Sequence, residues 1–189
     1  MKKFDVNTLK INHCIKCDIS LTRRSIVNGR GNIESKVMII GEAPGAFEDK
    51  TGIPFIGPAG QLLRKLLRYL MIEPKELYIT NSTKCRPNSN RPPSDVELEN
   101  CLPYLAIEIA KVNPKVILLL GNVALSSTYP IPFSTISRER GKLRIINGRI
   151  ILATYHPSYI LRNKDDVELL KEFWRDLVLF QTLVKYIYS

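Results

Sequence analysis

Cys14 and Cys17 stand in C-x2-C spacing, and Cys85 and Cys101 follow with residues 86–100 between them. Four thiolates in a basic chain with no apolar leader segment are a metal-binding set rather than two disulfides, and they suit a structural zinc or an iron–sulfur cluster. Zinc ribbons carry two close pairs. Here the second pair is spread and Cys101 falls in a helical stretch, which leans toward iron–sulfur. Taken singly, Cys101 also fits a small core residue. The other chemically pointed stretch is Gly41-Glu42-Ala43-Pro44-Gly45. It is neither a Walker phosphate loop, since no Gly-Lys-Ser/Thr follows, nor GxGxxG. An ordinary strand-to-helix turn is its plain alternative. Asn81-Ser82-Thr83-Lys84 and His156-Pro157-Ser158 add an amide and an imidazole. His13, beside Cys14, is the other histidine.

These groups need elements to position them. Val37-Met38-Ile39-Ile40 is a short apolar run, half β-branched, and reads as a strand buried on both faces. Leu77-Tyr78-Ile79-Thr80 and Val116 to Leu120 read the same way. Leu143–Ile146 and Arg149–Ala153 flank Asn147-Gly148, a strong hairpin signal. Residues 51–60 are too rich in Gly and Pro for regular structure. Gln61 to Met71 places Leu62, Leu63, Leu66, Leu67 and Leu70 on one helical face. Ser94 caps a helix with Asp95 and Glu97 in its first turn, and Pro103 should kink it or end a first segment. A last helix spans about Asp165 to Tyr186, with Leu169, Leu170, Phe173, Leu177, Phe180 and Leu183 inward. Strands alternating with helices predict an α/β fold with a mainly parallel sheet and helices on both faces. Four polar segments then follow strands and share the carboxyl edge, where open α/β sheets bind ligands: the 41–45 loop, Asn81 onward, Gly121-Asn122, and His156 onward.

The chain has 189 residues, 44% of them hydrophobic, which suits one domain over 1–189. No apolar run approaches ~18–20 residues, so no membrane span is expected, and the reading is an intracellular, cytoplasmic, nucleoid-associated protein. The net charge of +10 implies an acidic partner, most often nucleic acid. Basic residues crowd loops: Lys84, Arg86, Arg91; then Arg138, Arg140, Lys142, Arg144; then Arg162. That clustering favours a phosphate-facing surface.

Gly-Glu-Ala-Pro-Gly after the first strand, Pro54-Phe55-x-Gly57-x-Ala59-Gly60, Thr80-Asn81-x-x-Lys84-Cys85-x-Pro87 and His156-Pro157-Ser158 together resemble a family 4 uracil-DNA glycosylase, the thermostable iron–sulfur type. The resemblance runs from Cys14 to the last helix. It implies a three-layer α/β/α fold on a four-stranded, mainly parallel sheet, and a 4Fe-4S cluster on Cys14, Cys17, Cys85 and Cys101. It also implies removal of uracil from DNA by a monomer. A flipped base needs a stacking surface, for which Phe55 is placed, although core packing is its other use. One side-chain amide matches the N3–H and O4 of uracil, and Asn81 supplies it. A donor at O2 stabilises the charge left on the departing ring, and His156 is the candidate. The resemblance sets backbone groups of Gly41, Glu42 and Ala43 around the base. It sets Glu48 against the position of a thymine methyl; a solvated loop acid is the alternative. Better-known relatives carry an Asp where Ala43 stands, so either Glu42 positions water or cleavage is largely dissociative. Arg86, Arg138, Arg140, Ser158, Leu161 and Arg162 are expected on the DNA, the apolar side chain as a wedge.

Two competing readings share part of this pattern. A non-catalytic, metal-dependent nucleic-acid-binding module leaves Asn81 and His156 without roles. An enzyme on a free nucleotide needs a phosphate loop, which is absent. At the end of the chain, Gln181, Val184 and Tyr188 partly match the box by which repair enzymes dock on the sliding clamp, with Ile187 where an aromatic belongs. Alternatively, the same residues continue the last helix and pack its apolar face.

Overall fold

Alternate residues of the inner strands feed two separate cores. Val37, Ile39, Val116, Leu118, Leu120 and Leu152 belong to one, and Met38, Ile40, Ile117, Leu119, Ile151 and Ala153 to the other. Strands apolar on both faces need a helical layer on each side. The computed structural model describes residues 10–129 and 134–189. Its strands are β1 (Arg30–Gly31), β2 (Val37–Gly41), β3 (Leu77–Asn81), β4 (Val116–Leu120), β5 (Leu143–Ile146) and β6 (Arg149–Thr154). Its helices are α1 (Ile19–Thr22), α2 (Ala46–Thr51), α3 (Pro58–Tyr69), α4 (Asp95–Val112), α5 (Gly121–Thr128), α6 (Ile136–Glu139), α7 (Pro157–Arg162) and α8 (Val167–Tyr188). Residues of α3, α7 and α8 cover the first face, and residues of α4 and α5 cover the second. The α/β/α layering is as expected.

The sheet differs from the expected four strands. Among the described residues it has six, in the order β1-β3-β2-β4-β6-β5. The inner four are parallel, while β1 against β3 and β5 against β6 are antiparallel, so the sheet is mixed. The β5–β6 hairpin turns at Asn147-Gly148 with both residues in the left-handed region. β1 is only two residues long and carries no periodic signal. Among the described residues no helix is long and apolar enough to cross a membrane.

Helix boundaries shift for local reasons. α3 starts at Pro58 rather than Gln61, because proline at the first helical position loses no needed donor. α2 occupies a stretch whose Gly and Pro neighbours hid it. Ser94 and Glu97 form a capping box at the start of α4, which runs unbroken through Pro103. Glu99, whose carbonyl loses its helical donor there, and Pro103 itself are both exposed, so water can take that carbonyl.

The C-terminal residues are part of the fold. Gln181 donates from Nε2 to the Leu70 carbonyl at 2.6 Å, Val184 is buried, and the Tyr188 hydroxyl donates to the Glu76 carbonyl at 3.0 Å. The side chains a clamp-docking peptide would present are committed to α8 and its neighbours, and the helical packing alternative is the one observed.

Candidate active site at the carboxyl edge of the sheet

In the register of the central strands, Gly41 lies beside Asn81, and Leu120 beside Thr154. The loops leaving these positions open a cleft of about 770 Å³. Glu42, Ala43, Glu48, Phe55, Asn81, His156, Ser158, Leu161 and Arg162 all line it. Three of the four polar segments expected to converge therefore do. The fourth contributes differently: Gly121 packs beneath His156, whose Cβ would stand 3.1 Å from a β-carbon there, while Asn122 accepts the Ile136 N–H.

Gly41 is a close-approach glycine. A β-carbon on it would stand 2.5 Å from Asn81 Oδ1 and 2.5 Å from Phe55 Cζ, so the amide and the ring both lie over bare backbone. Ser82 fixes that backbone, donating both its N–H (2.8 Å) and its hydroxyl (3.0 Å) to the Gly41 carbonyl, and Thr83 N–H donates to the Glu42 carbonyl. Phe55 holds φ 55°, an uncommon angle for an aromatic residue and the kind of local strain found at ligand sites. It is buried, belongs to one core and faces the cleft at once.

Glu48 is not a solvated acid. It is buried, with Oε1 accepting Gly57 N–H at 2.7 Å and Oε2 accepting Gly45 N–H at 3.1 Å. It clamps the two loops that form one wall.

His156 caps α7, and its ring centroid lies 6.3 Å from that of Phe55. Ser158 N–H donates to Nδ1 at 3.1 Å, so the neutral ring carries its proton on Nε2. Burial, with the Arg162 cation nearby, pushes the imidazole down to about 4. Ser158 Oγ also sits 2.8 Å from Nδ1. Ser158, expected on DNA, is turned instead to the imidazole and orients it. Burial raises the Glu42 carboxyl, and Arg162 partly offsets that.

The basic residues divide in a way their clustering did not reveal. Lys84 is buried in an ion pair with Glu108, and Arg144 reaches Glu139. Arg140, expected on DNA, is held by Asp176 through two bonds and by the Glu172 carbonyl, so its donors face inward. Arg138 and Arg162 are exposed; Arg86 is half-buried, with Nε on Asn90. Of these three only Arg162 lines the cleft.

A family model described as the uracil DNA glycosylase superfamily matches residues 28–178. The chain belongs to the uracil-DNA glycosylase superfamily. Within it, the chain is similar to type-4 proteins. It is 38% identical over 174 residues to that of Thermotoga maritima, covering 87% of this chain and 91% of that protein. It is 38% identical over 168 residues to that of Archaeoglobus fulgidus, covering 85% and 84%. A type-5 uracil-DNA glycosylase of Pyrobaculum aerophilum is 32% identical over 144 residues, covering 68% of this chain and 63% of that protein.

In this superfamily member the four cysteines come from three separate stretches, and the charges of several would be felt by one another. Burial first, then Cys101 and Cys17, push the Cys85 thiol up to about 12, and Cys101 is raised by burial and by Cys17 and Cys14. Arg23 opposes this, donating to Cys85 Sγ at 3.7 Å and to the Cys14 carbonyl at 2.6 Å.

Proposed function

We propose that this chain is a DNA repair glycosylase that flips uracil out of DNA and hydrolyses its N-glycosidic bond, opening base excision repair. One observation carries the reading: a ring and an amide meet over Gly41, and a neutral imidazole stands 6.3 Å from that ring in the same cleft. The flipped base stacks on Phe55, and Asn81 pairs with its N3–H and O4. The backbone of Gly41, Glu42 and Ala43 borders it. Glu48, fixed by two backbone N–H groups, forms a stiff wall against a thymine methyl. As the bond breaks, charge grows on the uracil ring and the Nε2–H of His156 donates to O2. Ala43 offers no carboxylate, so Glu42 orients the attacking water. Arg86, Arg138 and Arg162 contact phosphates while Leu161 wedges the duplex.

The cysteine set fits a 4Fe-4S cluster. Among the described residues no three Cys, His, Asp or Glu side chains converge at the spacing of a single metal ion. A cubane asks instead for one thiolate at each of four corners. One donor already points at sulfur, Arg23 at Cys85 Sγ. Cys14, Cys17, Cys85 and Cys101 would hold the cluster, whose part is structural, joining the N-terminal segment to the loop after Asn81. A zinc-dependent binding module would share these cysteines but gives Asn81 and His156 nothing to do.

Release of free uracil from a labelled oligonucleotide, with chelator present, tests the reading. Free base is the expected product; DNA binding without base release overturns it.

The electrostatics give a further expected result. Protonated His156 loses the Nδ1 lone pair that holds Ser158 N–H, so turnover requires the neutral ring. With the group at about 4, protonation of His156 itself should not lower the single-turnover rate above about pH 5. The stability this group contributes is likewise full above its ordinary 6.5 and is lost as pH falls from there to 4. Arg162 lowers both His156 and Glu42. Arg162→Ala should therefore move the acid limb of the rate profile to higher pH, whichever of the two governs it. An unmoved limb at saturating enzyme would show that Arg162 acts only on DNA.

A further inference from the structure

A lysine and a glutamate lie wholly inside the protein, directly below the base-reading amide. Lys84 is 1% exposed and Glu108 is 0% exposed. All three ammonium donors are used: on Thr80 Oγ1 at 2.6 Å, on the Asn81 carbonyl at 2.7 Å and on Glu108 Oε2 at 2.7 Å. Thr80 in turn donates to the same Glu108 oxygen at 2.7 Å. The other carboxylate oxygen accepts Gly29 N–H at 3.2 Å and the Tyr78 hydroxyl at 3.4 Å. Burying such a pair is a poor route to stability, because desolvation offsets most of the attraction and apolar residues of similar volume often serve as well. What it does supply is geometry: it fixes one backbone in one place.

That backbone is the end of β3. Lys84 grips the Asn81 carbonyl from the interior, while Ser82 and Thr83 bind the chain to Gly41 and Glu42 on the cleft side. The same residue stands directly before Cys85, and its carbonyl accepts Val27 N–H at 2.7 Å. Asn81 is thus held between two sets of bonds, and its amide lies over Gly41 where no side chain could adjust to a shift.

We propose that Lys84, held by Glu108, is a positioning residue of the glycosylase site: its ammonium group fixes the Asn81 carbonyl and so sets where the Asn81 amide meets the base. The inference rests on the assignment of Asn81 above. Misplacing a reacting geometry by about 1 Å costs up to about 10²-fold in rate.

The test is a double-mutant cycle on the whole protein with its cluster. K84M/E108Q removes both charges together, so neither is left buried alone. It is expected to slow single-turnover uracil release by about 10- to 100-fold, with unchanged affinity for uracil-free DNA. On the Asn81→Ala background the same pair of changes should cost less than about 3-fold more. E108Q alone keeps the bond from Lys84 to the Asn81 carbonyl. It should lower the melting temperature while holding the rate within about 3-fold. K84R, which keeps the ion pair but cannot reproduce three donors from one nitrogen, is the second probe if K84M/E108Q does not fold; its rate loss should also vanish on Asn81→Ala. A loss that persists in full on Asn81→Ala, or a rate that follows the melting temperature across the set, overturns the Lys84 proposal alone. Near-wild-type turnover in Asn81→Ala by itself overturns the assignment of Asn81 and the proposal with it.

Discussion

Asn81→Ala and His156→Ala should each slow uracil release by about 10²–10⁴-fold while leaving DNA affinity nearly intact, because one donor aimed at developing charge supplies ~3–4 kcal/mol of transition-state stabilisation. The two side chains enter the cleft from different strands, β3 and the end of β6, and neither faces the phosphate backbone in the proposed complex. Single-turnover rates with enzyme in excess, set beside equilibrium binding to uracil-free duplex, measure the two quantities separately. Turnover near wild type in either variant would remove that residue from the mechanism. Losses appearing in binding alone would make it a DNA contact instead. His156 should prove the more sensitive to its surroundings. Its ring is oriented by Ser158, rests on Gly121 and is kept neutral by burial, so Ser158→Pro or Gly121→Ala should reproduce part of its loss.

The central strands could be read directly from the sequence because burial on both faces leaves them continuously apolar, as in Val37–Ile40 and Val116–Leu120. The cleft followed from them, since loops leaving parallel strands must share an edge. Direction was what the residue types did not carry. Lys84 sits in a loop with Arg86, yet its partner Glu108 lies 24 positions away on α4, and nothing local marks that meeting. Arg140 and Asp176 are 36 positions apart, and Arg140 looks like its exposed neighbour Arg138 until α8 packs against it. Ser158 offers the same lesson at short range: its hydroxyl is as apt for a phosphate as for an imidazole, and only the cap geometry of α7 decides. Edge strands were harder for a different reason. β1 is two residues long and includes a glycine, so its place in the sheet comes wholly from pairing with β3. Glu48 shows the converse, a charged residue whose burial goes with the two glycine N–H groups, of Gly45 and Gly57, that its carboxylate accepts.

The C-terminal helix gives the largest expected effect on stability. Ending the chain at Phe180 removes Leu183 and Val184 from the core, Gln181 from the Leu70 carbonyl, and Tyr188 from its bond to Glu76. Burying each large apolar side chain is worth roughly 1.5–3 kcal/mol, so the two core residues alone account for about 3–6 kcal/mol. A loss of that size is a large fraction of the ~5–15 kcal/mol that holds an ordinary domain together. Tyr188 also accepts the Lys36 N–H at 3.0 Å, one residue before β2, so the truncation loosens the start of the strand that ends at Gly41. Denaturant unfolding of the shortened protein should show a midpoint shifted well below that of the full chain, with activity falling as the folded fraction falls. If the truncated protein instead keeps its stability and its rate, the tail is dispensable to the fold, and α8 ends in a segment free to serve a partner.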